Sequence, residues 1–317
     1  MKSKKKVASE SSKPKKTSSG KKHFNANYIS ADKNISTGKL PDIPRMPTGI
    51  AGLDAILQGG LPSGSVNLLS GSCGTGKSTL AMQFIYNGAK YYDEPGVYVT
   101  LEEEPKKLIR DSDLFNWNIE EMIEKKKMVV IKPEIYKFDS LKQVIGDAIE
   151  RIGAKRLVVD SYSVLLTYFS DPAEIRDGLV QLDREIKKMN CTALIISDIK
   201  DNSEVYSTTG VEEFIVDGVI VLYLKKDLKR PDESVRAISV RKMRATKYPL
   251  KTYSFQIGPS GILLDAHISA GMKGKGVSFA RTTSGKKQSK NVKPVKNVID
   301  VNQLRNKNKH SWKWKYL

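Results

Sequence analysis

Val66-Asn67-Leu68-Leu69-Ser70-Gly71-Ser72-Cys73-Gly74-Thr75-Gly76-Lys77-Ser78-Thr79 is the stretch on which the reading of this chain turns. Its first five residues form a short apolar run of strand type. Gly71 to Ser78 then fits G-x-x-x-x-G-K-[ST] at every defined position, and a helical pattern with Leu80, Phe84, Ile85 and Ala89 follows to about Lys90. The glycines permit backbone conformations that turn successive N–H groups inward. The helix that starts there directs its positive end at the same point. Lys77 is spaced to reach β- and γ-phosphates, and the Ser78 hydroxyl to ligate magnesium. Gly71, Ser72, Cys73, Gly74, Thr75, Gly76, Lys77, Ser78 and Thr79 are therefore expected to hold a nucleoside triphosphate. Cys73 reads either as a small residue at a variable position or as a redox-sensitive thiol.

Outward from this loop the chain alternates strand and helix. Apolar strands are expected at Gly96 to Thr100, Met128 to Ile131, Arg156 to Asp160 and Thr192 to Ser197. Between them come helices after Pro105, at Ser140 to Ile152 and at Pro172 to Met189. Near-continuous apolar strands separated by helices predict an α/β fold with a mainly parallel sheet covered on both faces. Three late strands, Gly218 to Leu224, Ser234 to Lys242 and Lys251 to Ile257, are expected to extend one edge antiparallel.

Carboxylates stand where an open α/β sheet places its ligands, beyond the carboxyl ends of strands. Asp160 ends an apolar strand and suits magnesium, although a capping role is also open there. Glu102 and Glu103 follow the strand at Gly96 to Thr100 and precede Pro105. One of them could deprotonate or orient a water; the acids could equally mark a helix N-terminus.

These residues together resemble the KaiC-like ATPases of the RecA superfamily. The resemblance runs through Pro47-Thr48-Gly49-Ile50-Ala51-Gly52-Leu53-Asp54, Gly59-Gly60-Leu61-Pro62-Ser63-Gly64-Ser65, the loop, Val97 to Glu103, the Asp160 strand, Gly210-Val211-Glu212-Glu213-Phe214 and Arg241-Lys242-Met243-Arg244-Ala245-Thr246. It covers residues 45–264 or so in one pass. It implies a RecA-like fold, ATP and Mg2+ as ligands, Glu102 and Glu103 as a catalytic pair with Lys77, and Ser78 with Asp160 at the metal. It further implies Lys242 and Arg244 acting in trans on a neighbour's triphosphate, hence self-assembly into a homohexameric ring. Ser197 and Asp198 lie where the superfamily carries a γ-phosphate sensor. Ala245 stands where the family usually has Gly. The second domain of the clock members carries adjacent phosphate-accepting Ser and Thr. Counting back from Asp217 gives Glu213 and Phe214 there, which argues against an autokinase.

The resemblance leaves three functions in view: a hydrolytic ATPase ring, a nucleotide-gated scaffold that docks a partner machine, and a DNA-associated ATPase of RadA type. No helix-hairpin-helix pattern supports the last.

Charge is unevenly spread. The net charge is +19, yet residues 1–40 carry 11 Lys against 2 acids, and residues 266–317 carry 11 Lys and 2 Arg against 1 Asp, which leaves 41–265 at −2. Residues 1–44 and 266–317 are too polar to bury a core and are expected to be disordered. Trp312, Trp314 and Tyr316 alternate with lysines near the end. Such arms suit a solvated tail, a nucleic acid gripped by charge and stacking, or an anionic membrane or protein surface. Two cysteines and no long apolar segment point to a reducing, cytoplasmic setting without a membrane span. Composition and resemblance suggest an archaeal source.

Overall fold

The computed structural model describes residues 43–264, apart from 135–137, 168–170, 202 and 228–231. Except for Ile43 and Pro44, whose carbonyl accepts the Ser63 N–H at 2.9 Å, both expected tails, with Trp312, Trp314 and Tyr316, lie outside the described residues.

The apolar runs are strands because each one feeds two cores. Side chains alternate across a strand. In β3 (Val66–Gly71), Leu69 faces one cluster while Val66 and Leu68 face another. In β4 (Gly96–Thr100), Tyr98 opposes Val97 and Val99. The same division recurs in β6 (Arg156–Asp160) and β7 (Thr192–Asp198), so no face is left for water and no polar alternation appears.

Among the described residues one nine-stranded sheet has the order β11-β10-β9-β8-β3-β7-β6-β4-β5. β5 is Met128–Ile131 and β8 is Gly218–Lys226. β8, β3, β7, β6, β4 and β5 run parallel. β9 (Ser234–Met243), β10 (Thr252–Gly258) and β11 (Gly261–Leu264) continue the sheet antiparallel. A separate ribbon pairs β1 (Arg45–Met46) with β2 (Leu61–Pro62). This is the expected RecA-like arrangement.

One face of the sheet is covered by α2 (Lys77–Tyr91), helped by α1 (Leu53–Ile56), α3 (Pro105–Ser112) and α4 (Ile119–Glu124). The other is covered by α5 (Phe138–Ile152) and α6 (Pro172–Lys188), with the short α7 (Glu212–Ile215) beside α6. Asp171 caps α6 by accepting from the Ala173 N–H at 2.8 Å, and Pro172 sits at the first turn, where its missing N–H costs nothing.

Two boundaries differ from the sequence reading by two residues, and several others by one. α5 starts at Phe138 rather than Ser140, because Phe138 is buried under Gly178 of α6 and close to Tyr162. β8 runs on to Lys226 past the end of its apolar run, because Lys225 and Lys226 stay paired with Val235 and Ser234. β11 escaped the reading: four residues after a Pro-Ser-Gly turn are too few to show a period.

Arg156 is fully buried in this core. It pairs with Glu94, donates to the Phe84 and Pro47 carbonyls at 2.8 Å each, and lies 4.6 Å over the Phe84 ring. Gly88 leaves the space: a Cβ there would come within 2.2 Å of the Arg156 Nε.

Candidate functional site

The loop from Gly71 to Ser78 joins β3 to α2 as expected. Gly71 is tightly confined, since a Cβ would approach the Leu222 carbonyl oxygen and the Thr75 Oγ1 at 2.8 Å. Gly74 and Gly76 take φ of 75° and 101°, which β-carbon-bearing residues rarely adopt. Buried Thr75 ties the turn by donating to the Ser72 carbonyl at 2.8 Å. Ser78 and Thr79 then lie in the first turn of α2, whose leading N–H groups have no carbonyl one turn back. Cys73 is exposed and unpaired, and Cys191 is buried and unpaired.

The carboxyl ends of the parallel strands gather acids around this loop. Gly71 is level with Asp198 at the end of β7, and Thr100 is level with Asp160 at the end of β6. The Lys77 ammonium is 8% exposed, donates to the Ser72 carbonyl at 2.9 Å and pairs with Asp198 at 2.9 Å. Asp160 accepts a hydrogen bond from the buried Tyr98 hydroxyl at 2.5 Å. Burial pushes the Asp160 carboxyl up from its ordinary value, and the hydroxyls of Tyr98 and nearby Ser78 work against that rise. The Tyr98 hydroxyl is pushed well up by burial and by Asp160, so it stays a donor.

The two candidate glutamates part company. Ser161, buried and next to Asp160, donates to Glu102 Oε1 at 2.9 Å and draws that carboxylate toward the β6 end. Glu103 pairs instead with Lys107 one turn along α3, at 2.8 Å, while its backbone bonds Thr100. Glu104 holds the N-cap position of α3, but its side chain pairs with Lys132 at 2.7 Å. The proposed sensor pair also divides. Asp198 meets Lys77, whereas Ser197 is buried, with its Oγ 3.1 Å from both the Thr208 N–H and hydroxyl.

Lys242 and Arg244 lie at the other end of the sheet. Val219 of β8 is level with Lys242, and Asn67 of β3 is level with Gly218, whereas the phosphate loop begins beside Leu222. Three residues of strand, roughly 10 Å, separate the Lys242 level from the start of the loop. Here the Lys242 ammonium donates to the carbonyls of Glu213 at 2.9 Å and Val216 at 2.6 Å, which closes the end of α7. Arg244 pairs with Asp217 at 2.9 Å. These two cations do not reach their own chain's loop.

Three residues near the loop had no sequence signal. Tyr98 read as one more apolar strand position, and Ser161 as a turn residue. Arg236 read as part of a basic edge strand, yet its Nε donates to the Gly74 carbonyl at 3.2 Å. Conversely, the Pro47 to Asp54 stretch has a structural role. Asp54 accepts from the Thr48 N–H and hydroxyl and from the Gly49 N–H, and Asn87 on α2 donates to the Thr48 carbonyl.

Chemically, a dipole end, inward amides and a buried ammonium suit a polyphosphate. Hydroxyl and carboxylate oxygens from Ser78 and Asp160 suit a hard divalent cation. Among the described residues no three His, Cys, Asp or Glu side chains form a metal cage. Among the described residues no helix is long and apolar enough to cross a membrane.

Known proteins were compared with this chain. Residues 46–267 match the family described as ATPase: KaiC. The UPF0273 protein of Thermotoga maritima is 36% identical over 242 residues, which cover 70% of this chain and 96% of that protein. The circadian clock oscillator protein KaiC of Parathermosynechococcus lividus is 34% identical over 234 residues, 71% of this chain and 43% of the clock protein. The chain thus spans less than half the length of the clock proteins it matches. A crystal structure of a KaiC-like protein from Pyrococcus horikoshii superposes with a TM-score of 0.65 at 37% identity, over 70% of this chain and 99% of that one. With the nine-stranded RecA-like sheet and an intact phosphate loop, the chain belongs to the KaiC family of ATP-binding ATPases, with one KaiC domain in residues 46–267.

Proposed function

We propose that this protein hydrolyses ATP with magnesium in a ring of its own copies, each active site being completed by the neighbouring subunit. One geometric fact carries the reading. Lys77, Ser78, Glu102, Asp160 and Asp198 converge at the carboxyl ends of the parallel strands, while Lys242 and Arg244 stand at the opposite ends. Two cations that cannot serve their own loop but match the family's Lys-x-Arg are suited to another copy's loop. A head-to-tail interface of that kind closes into a ring when its rotation closes and runs on as a filament when it does not; the ring is the form the family resemblance favours.

The residues act as follows. The amides of Gly71 to Ser78 and the Lys77 ammonium bind the phosphates, with Lys77 exchanging Asp198 for the triphosphate. Ser78 and Asp160 hold the magnesium ion, which when bound neutralises charge on the β- and γ-phosphates. Glu102 takes a proton from the attacking water as the new O–P bond forms and the bond to the ADP oxygen breaks. Glu102 is preferred to Glu103 because Ser161 holds it toward Asp160, whereas Glu103 is engaged by Lys107. The neighbour's Lys242 and Arg244 stabilise charge in the transition state. Unpaired Cys73 and Cys191 accord with a reducing cytoplasm.

Complementation between inactive variants tests the shared site. Glu102→Gln and the double variant Lys242→Ala, Arg244→Ala are each expected to release little phosphate. Mixed and reassembled at equal amounts, they are expected to recover roughly a quarter of parental activity, since random mixing restores about one interface in four. No recovery from two folded variants would exclude sites shared between subunits. A parent protein that binds ATP and releases no phosphate would instead favour the nucleotide-gated scaffold.

A further inference from the structure

The Tyr98 hydroxyl is a polar atom in a place where an apolar side chain would pack equally well. β4 is buried along its whole length, and Tyr98 itself is fully buried in the cluster formed with α2. Its ring fills space between β4 and that helix, a task Phe would perform as well. Burial of a hydroxyl is costly unless it finds a partner. The partner here is Oδ2 of Asp160, 2.5 Å away on the neighbouring strand. Register makes the contact possible: Tyr98 is level with Val158 and Thr100 with Asp160, so the long phenol spans the two-residue offset along one face. Asp160 is held from its backbone side too, because its carbonyl accepts the Leu101 N–H at 2.6 Å.

We propose that Tyr98 is a positioning residue for the metal end of the site: its hydroxyl fixes the rotation of the Asp160 carboxylate, so that Asp160 and Ser78 face magnesium in one arrangement before it arrives. The proposal rests on the magnesium reading given above. A group that orients a metal-binding carboxylate from behind is worth roughly 10-fold or more in metal affinity. Tyr98 touches neither substrate nor metal, so its removal weakens magnesium and leaves the phosphate contacts of the loop intact.

The test is Tyr98→Phe, read by binding of a fluorescent ATP analogue to the full-length protein. Affinity is measured first in excess chelator and then across a magnesium titration. The variant is expected to match the parent in chelator and in melting temperature. It is expected to need roughly 10-fold more magnesium for half of the metal-dependent gain in affinity. In an Asp160→Asn background the same substitution is expected to change the magnesium requirement little, because the carboxylate to be oriented is gone. A parent with a clear magnesium-dependent gain, and a Tyr98→Phe variant with the same half-saturation, would overturn this proposal alone. A parent with no such gain would overturn the magnesium reading and this proposal with it. An equal loss of affinity in chelator would mean that Tyr98 supports the loop and not the metal, which also overturns it.

Discussion

The six parallel strands and the three antiparallel strands beside them use the same ladder for different ends. In the parallel part β3, β4, β6 and β7 are packed between two cores, so the side chains available for chemistry are those at or just past the carboxyl ends: Glu102, Asp160, Asp198 and the loop after Gly71. In the antiparallel part the strands carry cations and half-exposed positions along their length, and they serve both ends of the sheet. β9 sends Arg236 to the Gly74 carbonyl at one end and presents Lys242 and Arg244 at the other. β10 and β11 curl over the start of α2, where Ile257, Ile262 and Phe255 close around Gly76. The centre gathers the candidate site at one end of its strands, and the edge carries cations toward both ends.

The sharpest way to break this comparison is at the two glutamates. Glu102→Gln is expected to lower the turnover number by about 100-fold or more, the usual range for loss of a positioned base. Glu103→Gln is expected to cost under about 10-fold, because Glu103 is spent on Lys107. Steady-state phosphate release from each single variant checks this, and equal losses would undo the assignment.

At the edge, the expected effect is on stability. Buried Gln83 of α2 accepts from the Ile262 N–H at 2.7 Å and donates to the Ile262 carbonyl at 3.4 Å. Gln83→Ala strands that N–H in a buried place and is expected to cost about 1–3 kcal/mol, measurable by chemical denaturation. If the brace matters to the loop, ATP affinity falls in parallel.

The smallest effect concerns the far end of the sheet. Burial alone would raise Asp217, but Lys187, the Val66 N–H and Arg244 hold its carboxyl below the ordinary 3.8. A carboxylate held low contributes stability that is complete above the ordinary carboxylate range and disappears as pH falls through its lowered value. The melting-temperature gap between the parent and Asp217→Asn is therefore expected to be a few degrees at neutral pH and to close below about pH 3.8. A gap that persisted in acid would show that the ion pairs contribute nothing there.

Sequence reading recovered the parallel core almost residue by residue. β4, β5 and β6 begin and end at the expected residues, since the apolar run of a strand packed on both faces marks its middle clearly. Reading was weaker at the edge. β11 is four residues long, and β1 and β2 are two each, too short for any period to appear. At the site, Gly71 to Ser78 and Asp160 were legible because their chemistry needs those residue types at those intervals. Tyr98, Ser161 and Arg236 were not, because each acts through a partner far away in sequence.

The amino-acid sequence by itself determined that this chain has a phosphate loop between a strand and a helix, a doubly covered sheet, and acids at the strand ends. Those are local matters of residue type, spacing and period. Only the tertiary structure decided which glutamate leans toward Asp160, which hydroxyl stands behind that carboxylate, and at which end of the sheet Lys242 and Arg244 emerge. Strand order and register settle such questions, and they arise from packing between segments well separated in the chain, as Tyr98 and Asp160 are by 62 residues.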